Sequence, residues 1–186
     1  MFLFVNNAFC DGPFGISFGM TLEQIRKISK TKPQNVENDG WYVITPPNTH
    51  RLFEKYLIQI HPTHGVYHIA AVSRTITTTG HGTELISQFD NIVSMLEKTY
   101  GNYLKRNHLN PESTLNRSQY FMYTLKRGDR ELKAFWDREK GSRMPDNMAR
   151  IVLSAEATEF GENGFLALGY SSIYADKIDE EDASAF

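Results

Sequence analysis

Cysteine is scarce in this sequence, and Cys10 is the one cysteine in the chain. A disulfide bond within the chain is therefore impossible, which favours a reducing compartment. The chain also opens without a basic segment, and its first apolar run ends at Asn6. This pattern differs from that of a signal peptide, and we expect a cytoplasmic protein.

Long apolar runs and an excess of charge of one sign are also lacking. No run approaches the length of a membrane-spanning helix, so we expect no membrane partner. The 20 Lys and Arg residues nearly balance the 22 Asp and Glu residues, which gives a formal net charge of −2. This balance disfavours a nucleic-acid-binding module. No linker rich in Pro, Gly or Ser is present, and we predict one domain over 1–186.

The stretch 54–101 predicts a β-hairpin followed by a long helix. Residues alternate between two faces over 56–61 and again over 66–73, with a reversal at Pro62–Gly65 between them. This turn would pair Ile58 with Ile69, Ile60 with Tyr67 and His61 with Val66. The predicted core face of the hairpin comprises Tyr56, Ile58, Ile60, Tyr67, Ile69 and Ala71, whereas Leu57, Gln59, His61, Val66, His68 and Ala70 form a mixed face.

The helix prediction depends on an apolar stripe at helical spacing. Leu85, Phe89, Ile92 and Leu96 recur at intervals of three and four residues, and Gly101 follows as a C-terminal stop. We expect this stripe to pack on the isoleucine-rich face of the hairpin.

The remaining segments complete an α+β pattern. The sequence predicts a short helix after Thr21, a strand at 41–45, a loop at 102–110, a helix start at Asn110 and Pro111, and a helix, with a strand as the alternative, at 118–127. Three further strands are predicted around 132–136, 151–155 and 165–172, followed by a frayed acidic tail over about 176–186. We therefore predict an antiparallel sheet of two three-stranded meanders, packed by one long central helix and shorter helices.

A short motif precedes these elements. The segment Phe18–Ile25 reads Phe-Gly-Met-Thr-Leu-Glu-Gln-Ile. It resembles the Gly-Met-Thr helix start of β-lactamase inhibitor protein and of small outer-membrane assembly lipoproteins, both bacterial families. That resemblance implies a short helix leading into an antiparallel sheet. The inhibitor family repeats the motif in each half of the chain, whereas this sequence holds one copy, and Cys10 lacks the signal that precedes a lipidated cysteine.

Histidines form the one constellation with potential chemistry. Five of the six lie between His50 and His81. On the predicted hairpin, His61 and His68 are diagonal neighbours about 7–8 Å apart, and His64 lies at the turn. Histidines so placed could bind zinc or supply a general base, but their spacing matches no established metal motif.

Three functions follow as hypotheses. The first, which we favour, is a small module that binds another protein, as an inhibitor or immunity-type protein neutralises an enzyme. Its partner-binding residues are predicted to be His61, His64, His68 and Trp136, since Trp is enriched at binding hot spots. For Trp136, burial in the core is the alternative, and the sequence favours it. The second is a hydrolase that uses the three histidines of the hairpin, and the third is the nucleic-acid-binding module. For the favoured function we assign no catalytic residue, no metal and no cofactor.

Overall fold

The computed structural model of this chain describes residues 12–36, 40–145, 147–158 and 161–183. These residues form four α-helices and a nine-stranded antiparallel sheet, so the predicted α+β class is confirmed. Cys10 and the apolar run before Asn6 lie outside the described residues.

The sheet is one continuous layer. Its strands are β1 (Gln34–Val36), β2 (Trp41–Ile44), β3 (Phe53–His61), β4 (Gly65–Ser73), β5 (Ile76–Thr77), β6 (Leu104–Leu109), β7 (Arg130–Asp137), β8 (Met148–Ala157) and β9 (Asn163–Ser172). Their order is β1-β2-β3-β4-β9-β8-β7-β6, and β5 pairs with β9 off this path. Each of the two predicted three-stranded meanders has a fourth strand in the structure. Strand β1 adds to β2, β3 and β4, and strand β6 adds to β7, β8 and β9. The two meanders join where β4 pairs with β9.

The predicted hairpin is present, but its register changes near the turn. Ile58 pairs with Ile69 as predicted, whereas Ile60 pairs with Val66 and His61 with Gly65. Tyr67 is therefore an extra residue in β4, which is a β-bulge. The bulge reverses two predicted positions. Val66 lies in the main core, and Tyr67 lies in a separate cluster outside it.

The long helix α2 (Thr83–Tyr100) forms as predicted. Its stripe Leu85, Phe89, Ile92 and Leu96 is buried. The predicted packing partner is wrong, because α2 lies over β8, β9 and β5 rather than chiefly over the hairpin. The third helix, α3 (Phe121–Lys126), follows a 3₁₀ turn and packs on β7 and β8. It settles the ambiguity at 118–127 in favour of a helix.

The Gly-Met-Thr segment caps α1 (Leu22–Ile28) and attaches it to the hairpin. The Thr21 hydroxyl accepts a hydrogen bond from the Gln24 amide at 3.3 Å, and the Gln24 side chain accepts one from the Thr21 amide at 2.8 Å. This is the predicted capping box. Gly19 N–H donates to the Val66 carbonyl and Val66 N–H donates to the Met20 carbonyl, each at 2.8 Å. The motif is thereby bonded to β4.

Two predictions on either side of residue 110 are wrong. The stretch 102–110 contains strand β6 and not only a loop. Leu104–Leu109 is a mostly exposed edge strand, which explains its polar composition. Asn110 does not begin a helix. Its side-chain carbonyl accepts a hydrogen bond from the Glu112 amide at 3.0 Å, as in an Asx turn.

The predicted frayed tail is also wrong over most of its length. Residues Ala175–Ala183 form helix α4. Ala175 and Ile178 are buried against Tyr67, outside the main core. These apolar contacts anchor a segment that is mostly acidic in sequence.

Candidate functional site

The three histidines of the hairpin lie in a run of contacting rings. The ring centroids of His61 and His64 are 5.2 Å apart, and those of His64 and Tyr174 are 5.3 Å apart. The Tyr67 ring contacts both His61, at 6.4 Å, and His68, at 4.7 Å. Trp41 stacks on His68 at 6.2 Å with an interplanar angle of 9°. We call this set, Trp41, His61, His64, Tyr67, His68 and Tyr174, the aromatic ladder.

The bulge in β4 builds the centre of this ladder. With regular pairing, Tyr67 would face the main core. As the extra residue, it lies between His61 and His68 and packs on α4. No pattern in the sequence marks the bulge, so the part played by Tyr67 was missed. Trp41 and Tyr174 were missed because their ring contacts depend on how distant segments meet.

His61 is also held by the turn. Its Nδ1 accepts a hydrogen bond from the Thr63 amide at 3.3 Å and lies 3.0 Å from the Thr63 hydroxyl. The neutral ring therefore carries its proton on Nε2. Within 12–36, 40–145, 147–158 and 161–183, no group of three or more His, Cys, Asp or Glu side chains could hold a metal ion.

Trp136 does not belong to this surface. Its side chain is fully buried, at 0% exposure. The indole ring stacks on Tyr103 at 5.2 Å, and Nε1 donates a hydrogen bond to the Gly101 carbonyl at 3.2 Å. The prediction that Trp136 contacts a partner is therefore corrected. Trp136 alternates with half-buried positions in β7, so its side chain faces the core. Its hydrogen bond to Gly101 connects β7 to the end of α2.

The sheet face opposite helices α1–α3 carries a row of apolar residues. Direct cross-strand pairs join one residue from each of seven strands. In spatial order these are Val43, Leu57, Ala70, Gly169, Val152, Phe135 and Leu104. We call them the apolar row. They are half-buried, except for Leu104, which is 50% exposed, and none of them packs against the main core.

Sequence reasoning missed most of this row. Leu57, Ala70, Gly169, Val152 and Phe135 each stand between two buried core residues in their own strands, so one strand alone shows only a mixed pattern. The row becomes visible only when the register of all seven strands is known. The sequence did indicate two members of the row, because Leu57 and Ala70 were predicted to lie on the mixed face of the hairpin.

A cleft of about 570 Å³ lies at the β6 end of the row. Leu104, Phe135 and Val152 contribute its apolar lining. Arg106, Lys140 and Arg150 also line it, and Asp137 is the one acidic side chain among the described lining residues. Arg150 Nε lies 3.6 Å from an Asp137 carboxylate oxygen. Arg150 also lies 3.8 Å from an Asp176 carboxylate oxygen, and Arg106 lies 3.6 Å from one of Glu131. This end of the face is therefore apolar at its base and carries charges of both signs around it.

Comparisons with known proteins supply no relative from which a function could be assigned. No protein-family model, curated protein or solved structure matches this chain. The resemblance at Phe18–Ile25 stays a prediction. Among helices in the described part of the chain, none is long and apolar enough to cross a membrane.

Proposed function

We propose that this protein acts by binding another protein through the sheet face that carries the apolar row. The observation that supports this most is the continuity of the row over seven strands. Among the described residues, helices α1–α3 lie on the other face, and α4 covers only the part near Tyr67. An extended apolar surface of this kind is typical of interaction sites.

The shape of the row suits a protruding partner. Ala70 and Gly169 are its smallest members and lie at its centre, whereas Leu57 and Phe135 lie further out. Small side chains permit the backbone of a partner to approach closely there. Burial of the larger side chains contributes roughly 25 cal/mol per Å² of apolar surface removed from water, reduced by the free-energy cost of association.

The two flanks of the face supply different chemistry. The aromatic ladder offers Trp, Tyr and His rings, and Tyr174 is 46% exposed. Tyr and Trp are enriched at binding hot spots because they present much contact area with few rotatable bonds. In the cleft near β6, Lys140 forms no ion pair with a described residue and favours carboxylates on the partner. The proposed partner is therefore a folded protein that presents an apolar protrusion flanked by acidic residues.

A neutralising role fits this mode of binding. A protein that covers an enzyme with one broad face blocks access without any reaction of its own. We place this chain in that class, as an inhibitor or immunity-type protein. The hydrolase that would use His61, His64 and His68 remains the alternative, and the nucleic-acid-binding module is disfavoured by the net charge of −2.

The test compares charge insertions that are matched for exposure. Leu104→Asp places a carboxylate in the row at a residue that is 50% exposed, and Tyr123→Asp does so on α3 at a residue that is 52% exposed. A partner captured from the native host should bind Leu104→Asp at least about tenfold more weakly, which corresponds to about 1.4 kcal/mol. Tyr123→Asp should bind like the unmodified chain, and both variants should melt at similar temperatures.

Two results would contradict the proposal. One is unchanged affinity of the captured partner for both Leu104→Asp and Leu57→Asp. The other is turnover of a small substrate that is lost when His61, His64 and His68 are replaced by Ala, with no partner recovered. The triple Ala variant also tests the ladder separately, since it should weaken partner binding without unfolding the chain.

A further inference from the structure

A second cleft lies on the helix side of the sheet, away from the apolar row. Its volume is about 490 Å³. Three structural segments form it: His50–Leu52 just before β3, Arg74 just after β4, and one side of α2. The cleft therefore lies where the open end of the β3–β4 hairpin meets the long helix.

The charged side chains that line this cleft are cationic. Arg51 and Arg74 line it, and none of the described lining residues is acidic. Neither guanidinium forms an ion pair with a described residue. Elsewhere in the fold, Arg106, Arg127 and Arg150 each lie within 4.0 Å of a carboxylate. Within the described part of the chain, the two guanidinium groups beside this cleft thus lack the counter-charge that these three arginines have.

The backbone holds the two arginines close to each other. The Arg74 side chain donates a hydrogen bond to the Arg51 carbonyl, and Arg74 N–H donates to the Leu52 carbonyl at 3.1 Å. The Arg74 guanidinium is therefore positioned by the segment that carries Arg51. It retains further N–H groups for a ligand, since guanidinium has five.

His50 adds a neutral donor. Its Nδ1 accepts a hydrogen bond from the Leu52 amide at 3.2 Å, so the neutral ring carries its proton on Nε2. Partial burial, and then the charge of Arg51, lower the pKa of His50 from its ordinary value. A neutral imidazole that donates one N–H is compatible with a bound anion and adds no further repulsion between the cations.

The wall formed by α2 is half polar and half apolar. Gln88 and Asn91 contribute amide groups, and Ile92 and Met95 contribute apolar surface. Met95 is 46% exposed, which is unusual for a large apolar side chain on a helix that otherwise buries its stripe. Small-molecule sites commonly combine an apolar wall with a few polar groups that orient the ligand.

We infer that this cleft binds a small organic anion, with a phosphate or carboxylate group on Arg51 and Arg74 and an apolar body against Ile92 and Met95. Arginine suits this task because its planar fork of N–H groups matches both oxyanions. The site shares no residue with the apolar row. The anion-binding proposal and the protein-binding proposal can therefore be tested independently.

Phenyl phosphate is the probe for this site, because it joins an oxyanion to an apolar ring. Calorimetric titration at fixed physiological salt should show saturable binding of one phenyl phosphate per chain. Inorganic phosphate should bind more weakly, since it lacks the ring, and benzyl alcohol should not bind. A benzoate titration distinguishes a preference for carboxylate from one for phosphate.

Variants locate the binding within the fold. Arg51→Gln and Arg74→Gln should each weaken phenyl phosphate at least about tenfold, the effect expected for loss of a charge-assisted hydrogen bond. Arg117→Gln removes the same charge from an exposed arginine outside the cleft and should leave affinity unchanged. Met95→Ser should weaken phenyl phosphate but not inorganic phosphate.

If Arg74→Gln fails to fold, Arg51→Gln still tests the site. Arg51→Gln keeps the hydrogen bond from Arg74, because the acceptor is the Arg51 backbone carbonyl and not its side chain. The inference is overturned if neither phenyl phosphate nor benzoate binds up to millimolar concentration. It is also overturned if Arg51→Gln binds like the unmodified chain, or if Arg117→Gln weakens binding equally, which would indicate diffuse attraction of anions.

Discussion

Replacement of Gly65 by Ala tests how the Gly-Met-Thr segment is attached to the hairpin. Gly65 opens β4 beside the turn that carries His64, and its φ is +67°. A Cβ at this position would lie 2.8 Å from the Met20 carbonyl oxygen and closer still to the Gly19 carbonyl. The approach is close because Gly19 N–H donates a hydrogen bond to the Val66 carbonyl and Val66 N–H donates one to the Met20 carbonyl.

The expected loss of stability has two parts. A left-handed backbone conformation costs an L-residue with a side chain about 1–2 kcal/mol. Contact of the new methyl group with two backbone carbonyls adds about 1–3 kcal/mol, the usual effect of overpacking. Backbone atoms cannot rotate away as a flexible side chain could. We therefore expect Gly65→Ala to lower the free energy of unfolding by about 2–5 kcal/mol in all.

Gly128→Ala is the matched control. Gly128 has a similar φ of +77°, but no atom of the described residues lies within 4 Å of the position of its Cβ. This variant should therefore lose only the backbone part, about 1–2 kcal/mol. Equilibrium unfolding in urea gives both values when the slope against denaturant is unchanged. Equal losses at the two glycines would show that the segment before α1 does not press on the hairpin, and the reasoning would be refuted.

Three further outcomes are expected. Leu96→Ala should lower the free energy of unfolding by about 2–5 kcal/mol, since Leu96 is 8% exposed, whereas Ser94→Ala on the exposed side should change it by less than about 0.5 kcal/mol. Stability should decline as pH falls below about 6.5, because the unfolded chain protonates His50 more readily than the folded chain, in which burial and Arg51 lower its pKa. His50→Asn should reduce this decline in melts across pH. Elemental analysis should find no stoichiometric zinc, and one zinc per chain that is lost on replacing His61 and His68 by Ala would favour the hydrolase.

Much of the local structure could be predicted from sequence because local interactions produce it. The capping box at Thr21, the stripe of α2 and the alternation in β3 and β4 each involve neighbours along the chain. Such patterns have a fixed period, so they can be recognised without knowing the fold. Strand β6 escaped recognition because an edge strand with exposed side chains has no apolar period.

The candidate site shows the limit of local patterns. The sequence places His61, His64 and His68 on one hairpin, but it does not show that Tyr67 lies between two of them or that Tyr174 covers a third. It suggested Trp136 as a contact residue, whereas packing buries that side chain completely. A single extra residue in β4 decided which of Val66 and Tyr67 enters the core.

By itself, the sequence determined the α+β class, the hairpin, the long helix with its buried stripe and the capped helix after Thr21. The tertiary structure alone decided the pairing of β4 with β9, the bulge at Tyr67 and the docking of α4. The physical reason is distance along the chain. Helix periodicity and capping depend on residues three or four apart, whereas the apolar row joins residues from position 43 to 169. Their alignment depends on the register of every strand between them, and one-residue shifts move a side chain to the other face.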